Sequence, residues 1–484
     1  MDKTNLNPTS VFDYFHEVCQ IPRPSKKEEK IIAYLLDFAK LHGLEAKTDA
    51  MGNVLIRKPA TSGYENRKTV VLQSHLDMVC EKNEGVSHDF MKDPIETYVD
   101  GEWMRAKGTT LGADNGIGIA TELAILADDS IEHGPLECVF TEDEETGMTG
   151  AFGMSNDFMQ GDILLNLDSE DEGEMFIGCA GGANTLATFR FQTEAVPAGY
   201  FFFRVAVKGL TGGHSGDDIN KNRANANKVL NRFLVQCQEK YDFYLCRIEG
   251  GNLHNAIPRE AWAVCAVPMG DKESVRVDFN VFAAAVEAEY SVAEPSPCFE
   301  LSSTDGLAMA IDRQTVRRLL LAVHACFNGV FAMSQDIEGL VETSNNLASI
   351  KQKTDSIEVL CSQRSSTASS REDVSRTVMA AFELAGAEVE LGDGYPGWKP
   401  NPSSPILAVV VECYKRLFGK EPKVKAIHAG LECGLFLEKY PHMDMVSFGP
   451  TLRGVHSPDE RMLIPTVQMF WEHLLEVLRN VPQK

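Results

Sequence analysis

The sequence predicts an α/β protein with a discontinuous main domain and a second domain inserted into it. Three observations predict this. Short apolar runs that read as buried strands alternate with helical patterns through the first 180 residues. The pattern then changes character near residue 185. A turn-rich stretch at 392–405 marks a second boundary, after which α/β character resumes to the end.

The elements follow in order. Ser25 with Glu28 is a capping-box signature, and Ile31, Ile32, Leu35, Leu36 and Ala39 recur at helical spacing before Gly43. Strands are expected at 69–72, 136–140 and 163–167, and a buried helix at 116–127. In the insertion, 193–199 reads as a connector and 203–208 as a strand, followed by Gly212, Gly213, His214, Ser215 and Gly216. A strand at 445–448 and an amphipathic helix near 467–478 close the pattern. No short-period repeat is present.

Composition narrows the function. At roughly 100–200 residues per domain, the length predicts two or three domains, and the chain has 484 residues. Seventy acidic and 46 basic side chains give a net charge of −24. Nucleic acid and anionic membranes require a basic face, so neither is an expected partner. Cations are compatible with the charge. Twelve cysteines occur without a CxxC pair, which predicts reduced thiols. The first ten residues are polar, unlike a signal peptide, and no run of 18 apolar residues occurs. A cytoplasmic location is expected.

The polar ends of the expected strands carry the chemistry. The first runs into His75, Leu76 and Asp77, the second into Glu142, Asp143, Glu144 and Glu145, and the third into Asp168, Ser169 and Glu170. Ligands of open α/β sheets sit beyond the carboxyl ends of the strands. Asp77 is spaced to hold the His75 ring, as carboxylates behind metal-ligating histidines do. Asp114 stands among Gly112, Gly116 and Gly118 before a helix, and His456 stands in a turn after the 445–448 strand. Each signal alone has an ordinary structural explanation: an N-cap, a solvated acidic run, a loop histidine. Together they form a mixed nitrogen and oxygen donor set suited to zinc, manganese or cobalt. Five ligands exceed the needs of one catalytic zinc and fit two metals if a carboxylate bridges. Spacing leaves open which of Glu144 and Glu145 binds metal and which moves a proton.

These segments resemble, in order, the motifs of the di-zinc aminoacylase/carboxypeptidase superfamily, within it the peptidases that cleave Xaa-His dipeptides such as carnosine. The likeness runs from about Pro8 to the last helix. It includes His428, Ala429, Gly430, Leu431 and Glu432, and Tyr395, Pro396, Gly397 and Trp398. The resemblance implies a di-zinc exopeptidase-like catalytic domain, a mixed sheet flanked by helices, at 1–186 and 395–484. A large α+β lid is implied at 187–394.

Roles are implied residue by residue. Asp114 bridges two zinc ions, for which cobalt or manganese can substitute. His75 and Asp168 complete one site, Glu145 and His456 the other. Asp77 stands behind His75, and Glu144 is the general base toward a water bridging the metals. His214, Asn255 and Arg364 contact substrate and transition state, and Gly430 lies in a substrate-binding loop.

The implied activity is hydrolysis of dipeptides, preferentially Xaa-His. The alternatives are an N-acyl amino acid deacylase, a tripeptidase, or a metal-binding scaffold without catalysis. The expected partner is the dipeptide; a homodimer is open. An inserted domain this long has room for both halves of a lid, so His214 is expected to act within its own chain.

Overall fold

Val70–His75, Leu136–Thr141 and Ile163–Asn166 are buried at every position, and Asp444–Ser447 at all but its first. Strands covered on both faces are mostly apolar and pair in parallel; these four pair so, and the buried polar side chains among them, Gln73, Glu137 and Asn166, are hydrogen-bonded. The structure, a computed structural model, describes residues 6–484. It divides into two units.

The first unit comprises the described residues up to Gly178, with Pro400–Ala426 and Leu431–Lys484. Its sheet has eight strands, in the order Glu45–Thr48, Val54–Lys58, Leu136–Thr141, Val70–His75, Ile163–Asn166, Asp444–Ser447, Glu174–Cys179 and Lys423–Ile427. The central four run in parallel, so their carboxyl ends reach one edge. The antiparallel pairings lie toward the flanks. The sheet is therefore mixed.

Helices cover this sheet. Ala113–Ala127 is buried along nearly its whole length, and Thr9–Cys19 packs on it through Val11, Phe12 and Phe15. Pro405–Phe418 packs on Ile464–Asn480. Ser404 caps the former by accepting the Leu407 N–H at 3.0 Å.

One local expectation is corrected. Ser25 and Glu28 form no capping box: the helix is Glu29–Leu41, and Glu28 stands at its cap without a side-chain cap bond. The Ser25 hydroxyl donates to the Asp77 carboxylate at 2.7 Å instead. Glu28 accepts the N–H groups of Lys26 and Asp143 at 2.9 and 3.1 Å. A charged acceptor makes a stronger hydrogen bond than a helix terminus offers.

The second unit comprises Cys179–Lys399 and Ile427–Gly430. Its main sheet is antiparallel and includes Tyr200–Lys208, Ala261–Pro268, Val341–Gln352, Ser356–Ser365 and Gly181–Arg190. Side chains alternate between its faces. Phe201, Phe203, Val205 and Val207 enter a core with Phe233 and Leu319 from helices Ala226–Lys240 and Arg313–Ala325. Tyr200 and Phe202 pack on the other face with Tyr244 and Trp262. The stretch 271–310, where the sequence carries no motif, contains the helix Lys272–Glu289 and the strand Cys298–Ser303.

Candidate metal centre

The parallel strands deliver their trailing residues to one edge of the first unit, and five of the expected side chains meet there. Asp114 lies between two imidazoles. Its Oδ1 is 3.0 Å from His75 Nε2, and its Oδ2 is 3.2 Å from His456 Nε2. Each imidazole faces a second carboxylate. Asp168 Oδ1 is 3.4 Å from His75 Nε2, and Glu145 Oε2 is 3.0 Å from His456 Nε2. His75 is buried, whereas His456 is half open to solvent.

Asp77 does more than hold a ring. It follows the last residue of its strand, and its Oδ1 lies 3.2 Å from His75 Nδ1. The same carboxylate accepts the backbone N–H groups of Glu144 and Glu145 at 3.0 and 3.2 Å. One side chain thus sets both the His75 ring and the backbone that carries the two glutamates. Despite burial, the bonds from His75, Ser25 and this backbone draw the Asp77 carboxyl down to about 2.

The loop before the buried helix is fixed from two directions. Gly112 caps the helix, and Asp114 and Asn115 keep non-helical φ/ψ, so regular turns begin at Gly116. Glu460 accepts the N–H groups of Leu111, Gly112, Ala113 and Asp114 at 2.7, 2.9, 2.8 and 3.3 Å. Buried Arg23 donates to the carbonyls of Leu76 and Asp77 at 2.9 and 2.6 Å, and to that of Gly112 at 2.5 Å. Asn115 Nδ2 donates to the Asp168 carboxylate and, at 3.0 Å, to Leu167 O. The sequence reading gave no role to Arg23, Asn115 or Glu460. The glutamate's place four residues after His456 was the available signal.

Electrostatics shows what the cluster lacks. Burial raises the carboxyls of Glu144, Asp168 and Glu170, the last to about 8, and neighbouring acids add to each shift. The bonds from Asp114 and Glu145 push His456 up to about 11. Burial disfavours charge on His75, but Asp168, Asp114 and Asp77 outweigh it and raise it well above its usual value. Glu145 Oε1 is buried without a hydrogen-bond partner. Divalent cations would supply the missing positive charge and a partner for that oxygen. Neutral imidazoles and carboxylates are donors of the right kind. Ligand atoms of His75, Asp114 and Glu145 already lie within 4.8 Å of one another.

The other expected residues form a group within the second unit. Arg364 NH1 donates to the Tyr395 hydroxyl at 3.0 Å; its Nε lies 3.4 Å from Ser215 Oγ and its NH2 3.4 Å from His214 Nε2. Asn255 is adjacent: Gly213–His214 pairs with Ala256–Ile257, and the Ser215 N–H donates to Asn255 O at 2.9 Å. His428 Nε2 lies 2.8 Å from Ser344 Oγ. Gly430 is glycine because Tyr395 leaves no room: an added Cβ would stand 2.8 Å from the ring's Cε2. The sequence reading quoted Tyr395 and His428 in motifs but assigned neither a role.

None of the twelve cysteines is in a disulfide. Among the described residues, no helix is long and apolar enough to cross a membrane.

Comparison with known proteins agrees with this geometry. The chain is 46% identical over 484 residues to the cytosol non-specific dipeptidase of Escherichia coli (strain K12), covering 99% of each chain. Its structure is similar to the crystal structure of aminoacylhistidine dipeptidase from Vibrio alginolyticus, with a TM-score of 0.92, 46% identity and coverage of 100% of this chain and 99% of that one. The aminopeptidase PepT of Bacillus cereus shares the fold at 16% identity, with a TM-score of 0.59 over 98% of this chain and 99% of that chain. The model of peptidase family M20/M25/M40 matches residues 71–480, and the chain belongs to that family.

Proposed function

We propose that this peptidase is a dipeptidase that works with two zinc ions and prefers Xaa-His substrates. The observation that carries the reading is the Asp114 carboxylate, with one oxygen toward each imidazole and a further carboxylate beside each ring. In this reading His75 and Asp168 hold one cation, His456 and Glu145 the other, and Asp114 both. When bound, such a pair supplies Lewis-acid polarisation of the peptide carbonyl and acidifies a water.

The chain's own groups do the rest. Glu144 takes a proton from the attacking water and passes it to the leaving amine. Burial beside Asp168, Glu145 and Glu432 raises its carboxyl well above the usual range, which favours a group that must hold a proton between the two steps. Asp77 fixes the peptide that carries it. His214 donates to the oxygen that becomes negative. Arg364 grips the substrate's C-terminal carboxylate as a fork, which limits substrate length. Asn255 and Gly430 line the same group. In this reading recognition belongs to the second unit. A cytoplasmic location belongs to the same reading, supported by the name of the Escherichia coli relative.

The test compares hydrolysis of Ala-His and other dipeptides with that of an N-acetyl amino acid, with and without chelator. Turnover of Ala-His, abolished by chelator, is expected. Glu144→Gln should retain two zinc ions by elemental analysis and lose about 100- to 10,000-fold in kcat. Turnover of the acetyl compound alone, or unchanged turnover in the variant, would overturn the reading.

A further inference from the structure

Tyr395 is held with unusual definition for a residue outside any helix or long strand. Its backbone exchanges hydrogen bonds with Gly182, N–H to O at 2.8 Å and O to N–H at 3.0 Å. Its carbonyl also accepts from Arg371. Its ring sits between two glycines. A Cβ on Gly182 would stand 2.6 Å from Cε1, and one on Gly430 2.8 Å from Cε2. The slot has room for the ring only because both positions lack a side chain.

The hydroxyl has one proton to donate and two lone pairs. One lone pair accepts from Arg364 NH1 at 3.0 Å. That bond uses the hydroxyl as an acceptor and leaves its own proton to be donated elsewhere. Arg364 is in the same position. Of its five N–H groups, the one on Nε and one on NH1 face Ser215 and Tyr395, while NH2 lies 3.4 Å from His214 Nε2, which carries the ring's own proton because Nδ1 accepts the Asp217 N–H at 3.2 Å. One proton on NH1 and one on NH2 point away from these groups. A partly exposed phenol and a buried guanidinium thus present three adjacent unspent donors and no acceptor. Donors arranged in this way fit an anion with two oxygens.

We propose that Tyr395 is a second carboxylate-binding residue, donating its phenolic proton to the C-terminal carboxylate of the dipeptide that Arg364 grips. The inference rests on the reading of Arg364 given above. It makes recognition of the substrate's end a three-donor contact that a Lys at 364 or a Phe at 395 cannot reproduce.

The experiment uses the zinc-loaded full chain and two substrates, Ala-His and its C-terminal amide. A hydrogen bond to a charged group is worth about tenfold in affinity. Tyr395→Phe fills the same slot, so it should raise KM for Ala-His about tenfold, mostly in KM rather than kcat, and leave KM for the amide in place. Arg364→Ala should remove the same discrimination more completely. Discrimination lost in Arg364→Ala but kept in Tyr395→Phe overturns the role of Tyr395 alone. Discrimination kept in both overturns the reading of Arg364 as well. Discrimination lost only in Tyr395→Phe overturns the shared contact with Arg364.

A second substitution separates direct contact from mere support of Arg364. With 3,5-difluorotyrosine in place of Tyr395, the phenol ionises at lower pH. The titratable groups around it are Arg364, Arg371 and Cys179. A phenolate accepts better from Arg364 but repels a carboxylate. KM for Ala-His should therefore rise as this phenol ionises, with no such rise for the amide. A KM that falls or stays level through the same range overturns the proposal.

Discussion

Glu460 accepts the backbone N–H of Asp114 across 346 residues of sequence, together with the three N–H groups before it. The turn that presents His456 and the loop that presents Asp114 are therefore one mechanical piece. Four converging N–H groups need an acceptor at both carboxyl oxygens. Glu460→Gln turns one of those oxygens into a donor, and the amide then opposes two of the N–H groups. Zinc affinity should fall about 10- to 100-fold, as read by competition with a chromophoric chelator. Faster hydrogen exchange at 111–116 should accompany it. Unchanged affinity with unchanged exchange would show that the loop is held by other means.

Asp77 receives the Ser25 hydroxyl, the His75 ring and the N–H groups of Glu144 and Glu145. Asp77→Asn keeps the shape but cannot accept at both positions. The variant should lose zinc affinity and kcat together, each by about 10- to 100-fold. Glu144→Gln should differ by losing kcat alone. Elemental analysis after dialysis, alongside turnover of Ala-His, distinguishes the two patterns.

Removal of the cations leaves buried carboxyls facing one another. The raised value of Glu170, about 8 against an ordinary 4.5, means that the folded apo chain disfavours its charge. Below pH 4.5 both folded and unfolded chains hold that proton and the group contributes no penalty. As pH rises toward 8 the unfolded chain loses the proton first, so the apo protein loses stability through this window. Bound cations remove the penalty. The gap in Tm between zinc-loaded and chelator-treated protein should widen from pH 5 to pH 8. A gap independent of pH would contradict the charge assignment.

His473 titrates away from the active centre. It is buried against Tyr414 and Phe448 and donates from Nε2 to Val410 O at 2.8 Å. Burial pulls its imidazole down to about 4. Above pH 6.5 both states are neutral and the group is silent. Below it the unfolded chain gains a proton that the folded chain refuses until about pH 4, so stability falls across that interval by about 3 kcal/mol. Urea unfolding of His473→Gln should show a flatter acid limb than the parent chain. Parallel limbs would refute the assignment.

The strand ends were the legible part of this fold. Largely apolar runs at 69–72, 136–140, 163–167 and 445–448 mark the four parallel strands, because a strand buried on both faces has few polar positions. The polar residues after them could be found for the same reason. Ser25 was misread because a capping box is a local pattern, and the acceptor that claimed its hydroxyl, Asp77, lies 52 residues away. Arg23 was not legible as a positioning group, and Glu460 was marked only by its place after His456. Their partners are backbone carbonyls and N–H groups, which every residue possesses and no motif records. Tyr395 was visible as part of a turn-rich string that resembles the family, with no role attached to it. Its function depends on two glycines, one at 182 and one at 430, whose missing side chains make its slot.

The imidazole that closes the far side of Asp114 lies 342 residues further along the chain. No fragment that stops short of residue 456 can complete the cluster, whatever else it folds. A truncated product left by abortive synthesis or by proteolytic nicking would keep His75, Asp114 and Asp168 yet leave one oxygen of the shared acid without its partner. On the proposed roles, the second cation's site is therefore complete only once nearly all of the polypeptide exists.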